Sequence, residues 1–490
     1  MKSRRNIIVL FLMICSAQIN AQLSLPKILG NGMVLQQGQP VPVWGTANAG
    51  EEVTVSFGKQ LKKTQADNKG NWKLMLDILK ASAESQKMVI RSGAETIELN
   101  DILVGEVWLC SGQSNMEYSM RKNSKVEVPG GENNWPVKEL EAAHNKNLRI
   151  FLVDRKKMSP DKTHAGWDIA EDDALRAFSA AGYFFAKKMY EELHVPIGII
   201  SAAISGSRIE PWMPQEAFTA LPFFQTQTDS THKIDGEPGK FYKTMIEPLA
   251  PFSIKGFLWY QGESNCFLNE RLQYSYKMAA IINQWRKIWS NNDLPFYYVQ
   301  IAPFAYSTSG GERTYTKQSL PEFWEVQELA LKIPHTAMIG TTDLNFNMEN
   351  LHPHFKWEIG KRLALCALAN DYGRKDILPM GPLFEKMELE GNKAIISFRF
   401  AGKQLMNNSG QSLTDFFVAG ADGKYFEADA VIKGDKVELS SGKVNNPVTV
   451  RYGWDEGFHP NLYNTQGLPA MPFRTDNPLI NQFKDYVTGK

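Results

Sequence analysis

Four polar clusters in the sequence each follow an apolar run or lie a short loop beyond one. They are Ser114 in "WLCSGQSNM" (108–116), Gly206 and Arg208 in "SGSRIEPW" (205–212), Gln261 and Glu263 in "QGESN" (261–265), and His352 in "NLHP" (350–353). Acyl transfer by a serine needs a nucleophile, a base, usually an acid that orients the base, and N–H donors for the oxyanion. Ser114 would be the nucleophile and His352 the base, with Gly206 and Gln261 as donors.

Each residue also has an ordinary structural interpretation. A serine after a strand is often a helix N-cap, and a single histidine is often only a hydrogen-bonded side chain. His352 and His354 form a pair with metal-ligand chemistry, but no third ligand follows at a recognisable spacing. Met116 stands where a G-x-S-x-G elbow has its second glycine, which argues against an α/β-hydrolase.

Two carboxylates and two further side chains leave other chemistry open. Glu263 and Glu349 are a conceivable acid pair for a glycosidase, a class whose carboxylates have no diagnostic spacing in sequence. Arg208 and Trp212 would line a sugar pocket, or they would form a domain-interface salt bridge and a packed indole. The sequence alone does not choose between these interpretations.

The clusters need a scaffold that brings them together. Strand-like runs with little alternation lie at 102–110, 147–153, 195–204, 254–260, 294–303 and 336–343. Helical patterns lie between them at 173–193, 269–289, 322–331 and 354–368. This alternation predicts a doubly wound α/β domain with a parallel sheet, in which sites form at the carboxyl ends of strands.

The flanking regions are β-rich and joined by Gly, Asn, Asp and Pro turns. We therefore predict a β-sandwich-like module over 22–100, the α/β domain over 101–371 and a C-terminal β-rich region over 372–490. The preceding residues 1–21 have basic side chains, a short apolar run and a small residue at Ala21, which is the pattern of a cleaved secretory signal peptide. A periplasmic or secreted protein without stable membrane insertion is expected.

The net charge bears on the binding partners of the protein, and the cysteine count bears on its disulfides. The formal net charge of +1 gives no reason to expect nucleic acid or another polyanion. Cys110, Cys266 and Cys366 remain after the signal, so at least one thiol is unpaired, and a bridge between Cys110 and Cys266 is conceivable.

The motifs "GQSNM", "SGSRIEPW", "WYQGESN" and "LHPHFKWEIGKRLA" together resemble the sialate O-acetylesterase family, an SGNH-type branch of carbohydrate esterases related to acetylxylan esterases. The resemblance covers about 23 to 477 and implies an SGNH-hydrolase domain. It implies that Ser114 is the nucleophile and His352 the base. The oxyanion would be held by the N–H groups of Ser114 and Gly206 and by Gln261. Gln113, Asn115, Arg208 and Glu263 would contact the substrate.

The acid is where the sequence departs from the family pattern, because "DLNFNMENLHP" replaces the usual "DIHP". Glu349 is preferred as the residue that orients His352, with Asp343 as the alternative. A backbone carbonyl in a Ser–His dyad is the third possibility.

The resemblance implies removal of O-acetyl groups from carbohydrates through an acetyl-serine, most directly from O-acetylated sialic acids, with no metal or organic cofactor. Acetylated xylan is an alternative substrate. A carbohydrate-binding protein without catalysis is an alternative function.

Overall fold

The amino-terminal β-strands form a small module in front of the central sheet. The computed structural model describes residues 22–127, 135–153, 166–225, 236–309 and 314–487, so the predicted signal peptide lies outside the described residues. The strands of this part are β1 (Val34–Gln36), β2 (Val41–Thr46), β3 (Glu52–Phe57), β4 (Gln60–Gln65), β5 (Asn71–Leu76), β6 (Ser82–Ser92) and β7 (Glu95–Gly112). Antiparallel pairs join β3 to β4 and β6, and β2 to β5. Alternate residues of β5 are buried, as expected of a strand with one face in the core.

Strand β7 belongs to two parts of the molecule at once. Its first half pairs antiparallel with β6, and its second half lies in the central parallel sheet. Burial changes along the strand in the same way, from alternating to continuous. The predicted boundary between 100 and 101 therefore falls inside one 18-residue strand, which joins the amino-terminal module rigidly to the sheet.

The central sheet has six parallel strands and an antiparallel edge. Its remaining strands are β8 (Leu148–Leu152), β9 (Trp167–Ile169), β10 (Ile197–Ala203), β11 (Gly256–Tyr260), β12 (Phe296–Val299) and β13 (Thr336–Ile339). The order across the sheet is β13-β12-β11-β7-β10-β8-β9, with only β9 antiparallel to its neighbour. Most residues of the six parallel strands are buried, because helices cover both faces.

Helices lie on opposite faces of the sheet. They are α1 (Ser114–Glu117), α2 (Met120–Asn123), α3 (Trp135–Ala142), α4 (Asp172–Ala177), α5 (Ala180–Leu193), α6 (Gln215–Thr219), α7 (Pro222–Gln225), α8 (Glu263–Cys266), α9 (Leu272–Ile288), α10 (Ser319–Leu329) and α11 (Lys356–Asp371). Trp108 of β7 packs on Phe185 of α5, with ring centroids 5.1 Å apart. The next residue, Leu109, pairs with Phe257 of β11, whose ring contacts Trp285 of α9. Because successive strand residues point to opposite faces, α5 and α9 lie on different sides.

One predicted helix is broken in two. The pattern over 173–193 predicts a single helix, whereas α4 ends at Ala177 and α5 begins at Ala180. Ser179 caps α5 by accepting a hydrogen bond from the Gly182 N–H at 3.1 Å. In a continuous helix the Gly182 N–H would donate to a backbone carbonyl instead. The spacing of apolar residues continues across the break, which is why the sequence pattern predicts one helix.

The carboxyl-terminal region is built from short antiparallel strands. They are β14 (Leu383–Glu390), β15 (Lys393–Arg399), β16 (Leu405–Asn407), β17 (Phe416–Ala419), β18 (Tyr425–Glu427), β19 (Asp429–Lys433), β20 (Lys436–Ser440), β21 (Thr449–Tyr452), β22 (Leu462–Asn464) and β23 (Phe473–Arg474). They form two four-stranded sheets and one two-stranded sheet. In the described part of the chain, Cys110, Cys266 and Cys366 are buried free thiols, so the conceivable Cys110–Cys266 bridge is absent.

Candidate active site

Three of the four polar clusters follow neighbouring strands of the sheet. Ser114 follows β7, Gly206 follows β10 and Gln261 follows β11, and β7 lies between the other two strands. At the end of β7 the chains approach closely, since a Cβ on Gly112 would lie 2.1 Å from the Tyr260 carbonyl oxygen. Gly112 also has a φ of +140°, which favours glycine. These three clusters therefore meet at the carboxyl ends of the central parallel strands, as the alternation of strands and helices predicted.

Ser114 is the first residue of the short helix α1 rather than its cap. Gln113 occupies the N-cap position, and its carbonyl oxygen accepts hydrogen bonds from the Met116 and Glu117 N–H groups. The interpretation of Ser114 as an N-cap is therefore wrong. Its side chain is left to contact another part of the molecule.

That contact is with His352. The Ser114 Oγ and His352 Nε2 atoms are 2.9 Å apart, a normal hydrogen-bond distance, although the two residues are 238 positions apart in the chain. His352 lies in the loop between β13 and α11. The structure thus brings together the two residues that the sequence suggested as nucleophile and base.

Neither carboxylate expected to orient His352 contacts its ring. Glu349 is exposed, and among the described residues its one hydrogen bond is from its backbone N–H to the Asn347 Oδ1 atom at 3.0 Å. Asp343 instead forms a two-pronged ion pair with Arg362, with both N–O distances 2.7 Å. The predicted roles of Glu349 and Asp343 therefore have no support in this geometry.

Asn350 occupies the position where an acid was expected. Its Oδ1 atom lies 3.2 Å from His352 Nδ1 and accepts the His352 backbone N–H at 3.0 Å. Because the backbone N–H of His352 only donates, it fixes the amide oxygen as the end that points to His352, and Asn350 Nδ2 then lies 3.2 Å from His354 Nε2. An amide oxygen only accepts, so the proton of the neutral imidazole lies on Nδ1 and Nε2 is free to accept from the Ser114 hydroxyl.

The surroundings of His352 keep its ring neutral. Partial burial is the main cause that lowers its pKa to about 4, and the positive charges of Lys356 and Lys122 add to the effect. Among the described residues no carboxylate contacts Nδ1, so none compensates for this lowering of the His352 pKa. A neutral imidazole at ordinary pH is the form that accepts a proton.

The expected oxyanion donors divide into two groups. Gly206 has a φ of +71° and open space where a Cβ would stand, and within the described residues neither its N–H nor that of Ser114 has a protein acceptor. Gln261 is different, because three oxygens lie within hydrogen-bond distance of its buried Nε2 atom, which has only two N–H groups to donate; the nearest is Asn265 Oδ1 at 2.7 Å. These contacts give no support to Gln261 as an oxyanion donor, and the role stays a prediction.

Most of the residues expected to contact substrate are enclosed instead. Gln113, Asn115 and Glu263 are each at most 2% exposed. The Gln113 Oε1 atom faces the N–H groups of Gly262 and Ser264, and Asn115 bonds to Glu263. Arg208 remains partly exposed and is the one member of this set with access to a ligand.

Trp212 is a packed indole, as in its structural interpretation. Glu263 and Glu349, the acid pair conceivable for a glycosidase, do not form an open site. The Trp212 indole is fully buried and donates to Ser207 Oγ at 3.1 Å. Glu263 is enclosed by Asn115, whereas Glu349 is exposed on a different loop. This arrangement does not resemble two carboxyl groups flanking a sugar.

Two residues at the site were not assigned a role from the sequence, namely Asn350 and Lys356. Asn350 stands two residues before His352, where "DIHP" has its aspartate, but an amide is not an acid and no role was predicted for it. Lys356 had a detectable signal, because it lies in the first turn of the helix predicted over 354–368, where a lysine opposes the helix dipole. Such an unfavourable placement indicates a specific contact.

The comparisons with known proteins give the chain its class. Residues 104–369 match the family model described as "Carbohydrate esterase, sialic acid-specific acetylesterase". Human sialate O-acetylesterase is 28% identical over 409 residues, covering 76% of this chain and 75% of the human one. The mouse sialate O-acetylesterase is 25% identical over 434 residues, with 76% and 78% covered.

A solved structure agrees with these matches. A carbohydrate acetylesterase from Xanthomonas citri superimposes with a TM-score of 0.80 at 33% identity, covering 93% of this chain and all of the other. The fold and site thus define a carbohydrate O-acetylesterase, as the motifs predicted. The chain belongs to the sialic acid-specific acetylesterase family of carbohydrate esterases. Within the described residues, no helix is both long and apolar enough to cross a bilayer.

Proposed function

We propose that this enzyme removes O-acetyl groups from sialic acids through an acetyl-Ser114 intermediate, on an SGNH-type α/β domain. The observation that carries the serine mechanism is the 2.9 Å contact between Ser114 Oγ and His352 Nε2. The matches to sialate O-acetylesterases support the substrate class. The signal-like residues 1–21 support action in the periplasm or outside the cell.

In the proposed mechanism His352 acts first as base and then as acid. The Ser114 Oγ atom attacks the acetyl carbonyl carbon while its proton passes to His352 Nε2. The tetrahedral intermediate collapses as the bond to the sugar oxygen breaks, and His352 returns the proton to that oxygen. Water then attacks the acetyl-serine while His352 takes its proton, the bond between the acetyl carbon and Ser114 Oγ breaks, and His352 returns the proton to Oγ as acetate leaves.

The proposed oxyanion donors are the backbone N–H groups of Ser114 and Gly206. Both are without a protein acceptor among the described residues, and Gly206 borders open space. Two such donors aimed at the developing charge stabilise the transition state more than the ground state. Gln261 holds the Gly206 loop instead, since its amide donates to the Ser207 carbonyl at 3.2 Å.

Asn350 takes the role of the orienting group in this proposal. Replacing Asn350 with alanine removes the acceptor for His352 Nδ1 and for the His352 N–H, so we expect kcat to fall by about 10- to 100-fold, part of the contribution of a positioned base. Asn350→Asp keeps an acceptor and adds a negative charge, which favours the protonated ring. We expect the kcat of this variant to stay within about tenfold of the wild-type value. The acid limb of its pH–rate profile should move to higher pH.

Steady-state kinetics on p-nitrophenyl acetate measure both effects. Glu349→Gln and Asp343→Asn are the matched comparisons, because they neutralise the two carboxylates expected from the sequence. A larger loss in Glu349→Gln than in Asn350→Ala would return the orienting role to Glu349.

The substrate is tested by acetate release. The enzyme is incubated with 9-O-acetylsialic acid and, separately, with acetylated xylan, and the Ser114→Ala protein is the blank in both. We expect kcat/KM for the sialic acid ester to exceed that for xylan at least about tenfold, the discrimination available from about 1.4 kcal/mol of transition-state contacts. Faster release from xylan would assign the enzyme to plant glycans while leaving the serine mechanism intact.

A further inference from the structure

Three polar side chains beside the candidate nucleophile are shielded from solvent and have no part in the mechanism proposed above. They are Asn115, Glu263 and Lys356, and none is more than 2% exposed. The Lys356 Nζ atom donates to Asn115 Oδ1 at 2.6 Å, and Asn115 Nδ2 donates to Glu263 Oε1 at 2.5 Å. One amide thus lies between a buried ammonium and a buried carboxylate.

The Asn115 amide also reaches the loop that carries the base. Its Nδ2 atom donates to the Leu351 carbonyl oxygen at 2.9 Å, and Leu351 immediately precedes His352. Asn115 itself immediately follows Ser114. The two catalytic candidates are therefore joined by a second connection, one residue away from each of them.

Lys356 occupies an unfavourable position for a cation. It is the first residue of α11, where the helix dipole disfavours positive charge, and its side chain is fully buried. Burial lowers its pKa to about 7, with Lys122 acting in the same direction and Glu263 opposing both. The rings of Tyr118 and Tyr260 lie 4.9 and 5.2 Å from its Nζ atom and offset part of the cost.

The carboxylate of Glu263 also lacks part of its hydrogen bonding. In the described part of the chain, Glu263 Oε2 is buried without a hydrogen-bond partner, and burial raises the pKa of Glu263. Replacing such a group of buried charges with apolar side chains is often neutral or stabilising for a fold. A purely structural role therefore explains the group poorly.

We propose that Lys356 is a positioning residue that orients the Asn115 amide, so that this amide holds the His352 loop against Ser114. The inference rests on the proposed Ser114–His352 mechanism and deepens it. The ammonium donates to the amide oxygen, which directs both N–H bonds of Asn115 toward Glu263 and Leu351.

The charge of Lys356 has a second effect on the same pair. Its positive charge is one of those that lower the pKa of His352, after the larger effect of burial. The other groups with an electrostatic influence here are Lys122 on α2, His354 on the His352 loop and Glu263 on α8. Loss of the Lys356 charge should therefore raise the pKa of His352.

The test compares Lys356→Met with Lys361→Met in the full-length enzyme. Lys361 lies on the same helix, is half exposed and pairs with Glu358, so its substitution makes the same chemical change in water. For p-nitrophenyl acetate we expect Lys356→Met to lower kcat about tenfold or more with KM changed less than about threefold, and Lys361→Met to leave both within about twofold. The acid limb of the kcat/KM profile should move to higher pH only in Lys356→Met.

A folded Lys356→Met protein with wild-type kcat and an unmoved acid limb would overturn the proposal, as would an equal loss in Lys361→Met. If Lys356→Met does not fold, Glu263→Gln decides, because it keeps an acceptor for Asn115 and removes only the negative charge. Under the proposal, kcat falls as Lys356 loses its charge and its hold on Asn115 near pH 7, and removal of the Glu263 charge lowers the pKa of Lys356, so this alkaline limb should move to lower pH. An alkaline limb that does not move sinks the proposal. Failure of the serine mechanism shows separately, as activity retained in Ser114→Ala.

Discussion

Replacing Ser114 with alanine is expected to lower kcat/KM for acetyl ester hydrolysis by about a thousandfold or more, because the atom that forms the acyl-enzyme is removed. The fold should survive, since the Ser114 hydroxyl makes its hydrogen bond only to His352 among the described residues. Release of p-nitrophenol measures the rate, and thermal unfolding shows whether the variant is folded.

Ser253→Ala is the matched control for this substitution. Ser253 precedes β11 at the opposite end of the strands, and its Oγ atom contacts the Pro40 carbonyl oxygen at 3.2 Å. We expect this control to keep wild-type kinetics. Equal rates in wild type and Ser114→Ala would remove Ser114 from the mechanism and leave the esterase class to another nucleophile.

Replacing His352 with alanine is the second change with a large expected effect. Without a base, Ser114 keeps its proton, so we expect kcat to fall on the order of a thousandfold. His144→Ala is the control, because this exposed histidine pairs only with Glu171 among the described residues.

The pH dependence of kcat/KM in the wild-type enzyme is an independent test of the role of His352. The lowered pKa of His352 leaves the ring neutral above about pH 4, so kcat/KM should stay high through mildly acidic pH and fall as the pH drops through that value. A limb near the ordinary histidine value of about 6.5 would mean that burial and the neighbouring lysines do not control the ring.

The class of fold and the position of the site follow from local sequence properties. Uninterrupted apolar runs such as those in β10 and β11 arise because helices cover both faces of a parallel sheet. Polar residues directly after such strands lie at one edge of the sheet, whatever the exact pairing. This geometry explains why Ser114 and Gly206 could be predicted as candidates, whereas His352 lies in a longer loop after β13.

The direction of individual side chains did not follow from the sequence. Glu349 and Asn350 are adjacent in an irregular loop, and a turn in which the Asn350 N–H donates to the Asn347 carbonyl oxygen decides which of them faces His352. Gln261 was assigned to the oxyanion because it follows β11, but Asn265, one helical turn later, accepts from its amide. Such choices depend on contacts between distant segments.

The extent of the elements was also only partly predictable. The predicted boundary between 100 and 101 marks a real change in burial pattern, yet the backbone of β7 continues through it. A strand that changes from half-buried to fully buried looks like two elements in the sequence. Its continuity matters for the site, because β7 carries Ser114 at its end.

Covalent labelling tests the central claim most directly. The enzyme is inactivated with diethyl p-nitrophenyl phosphate, which transfers a diethylphosphoryl group to an activated serine, and the labelled peptide is identified by mass spectrometry. We predict that activity falls in proportion to the extent of labelling and is lost when each chain carries one phosphoryl group. That group should be attached to Ser114. An inactive enzyme that carries the group on another side chain, or an active enzyme fully labelled on Ser114, would contradict the account.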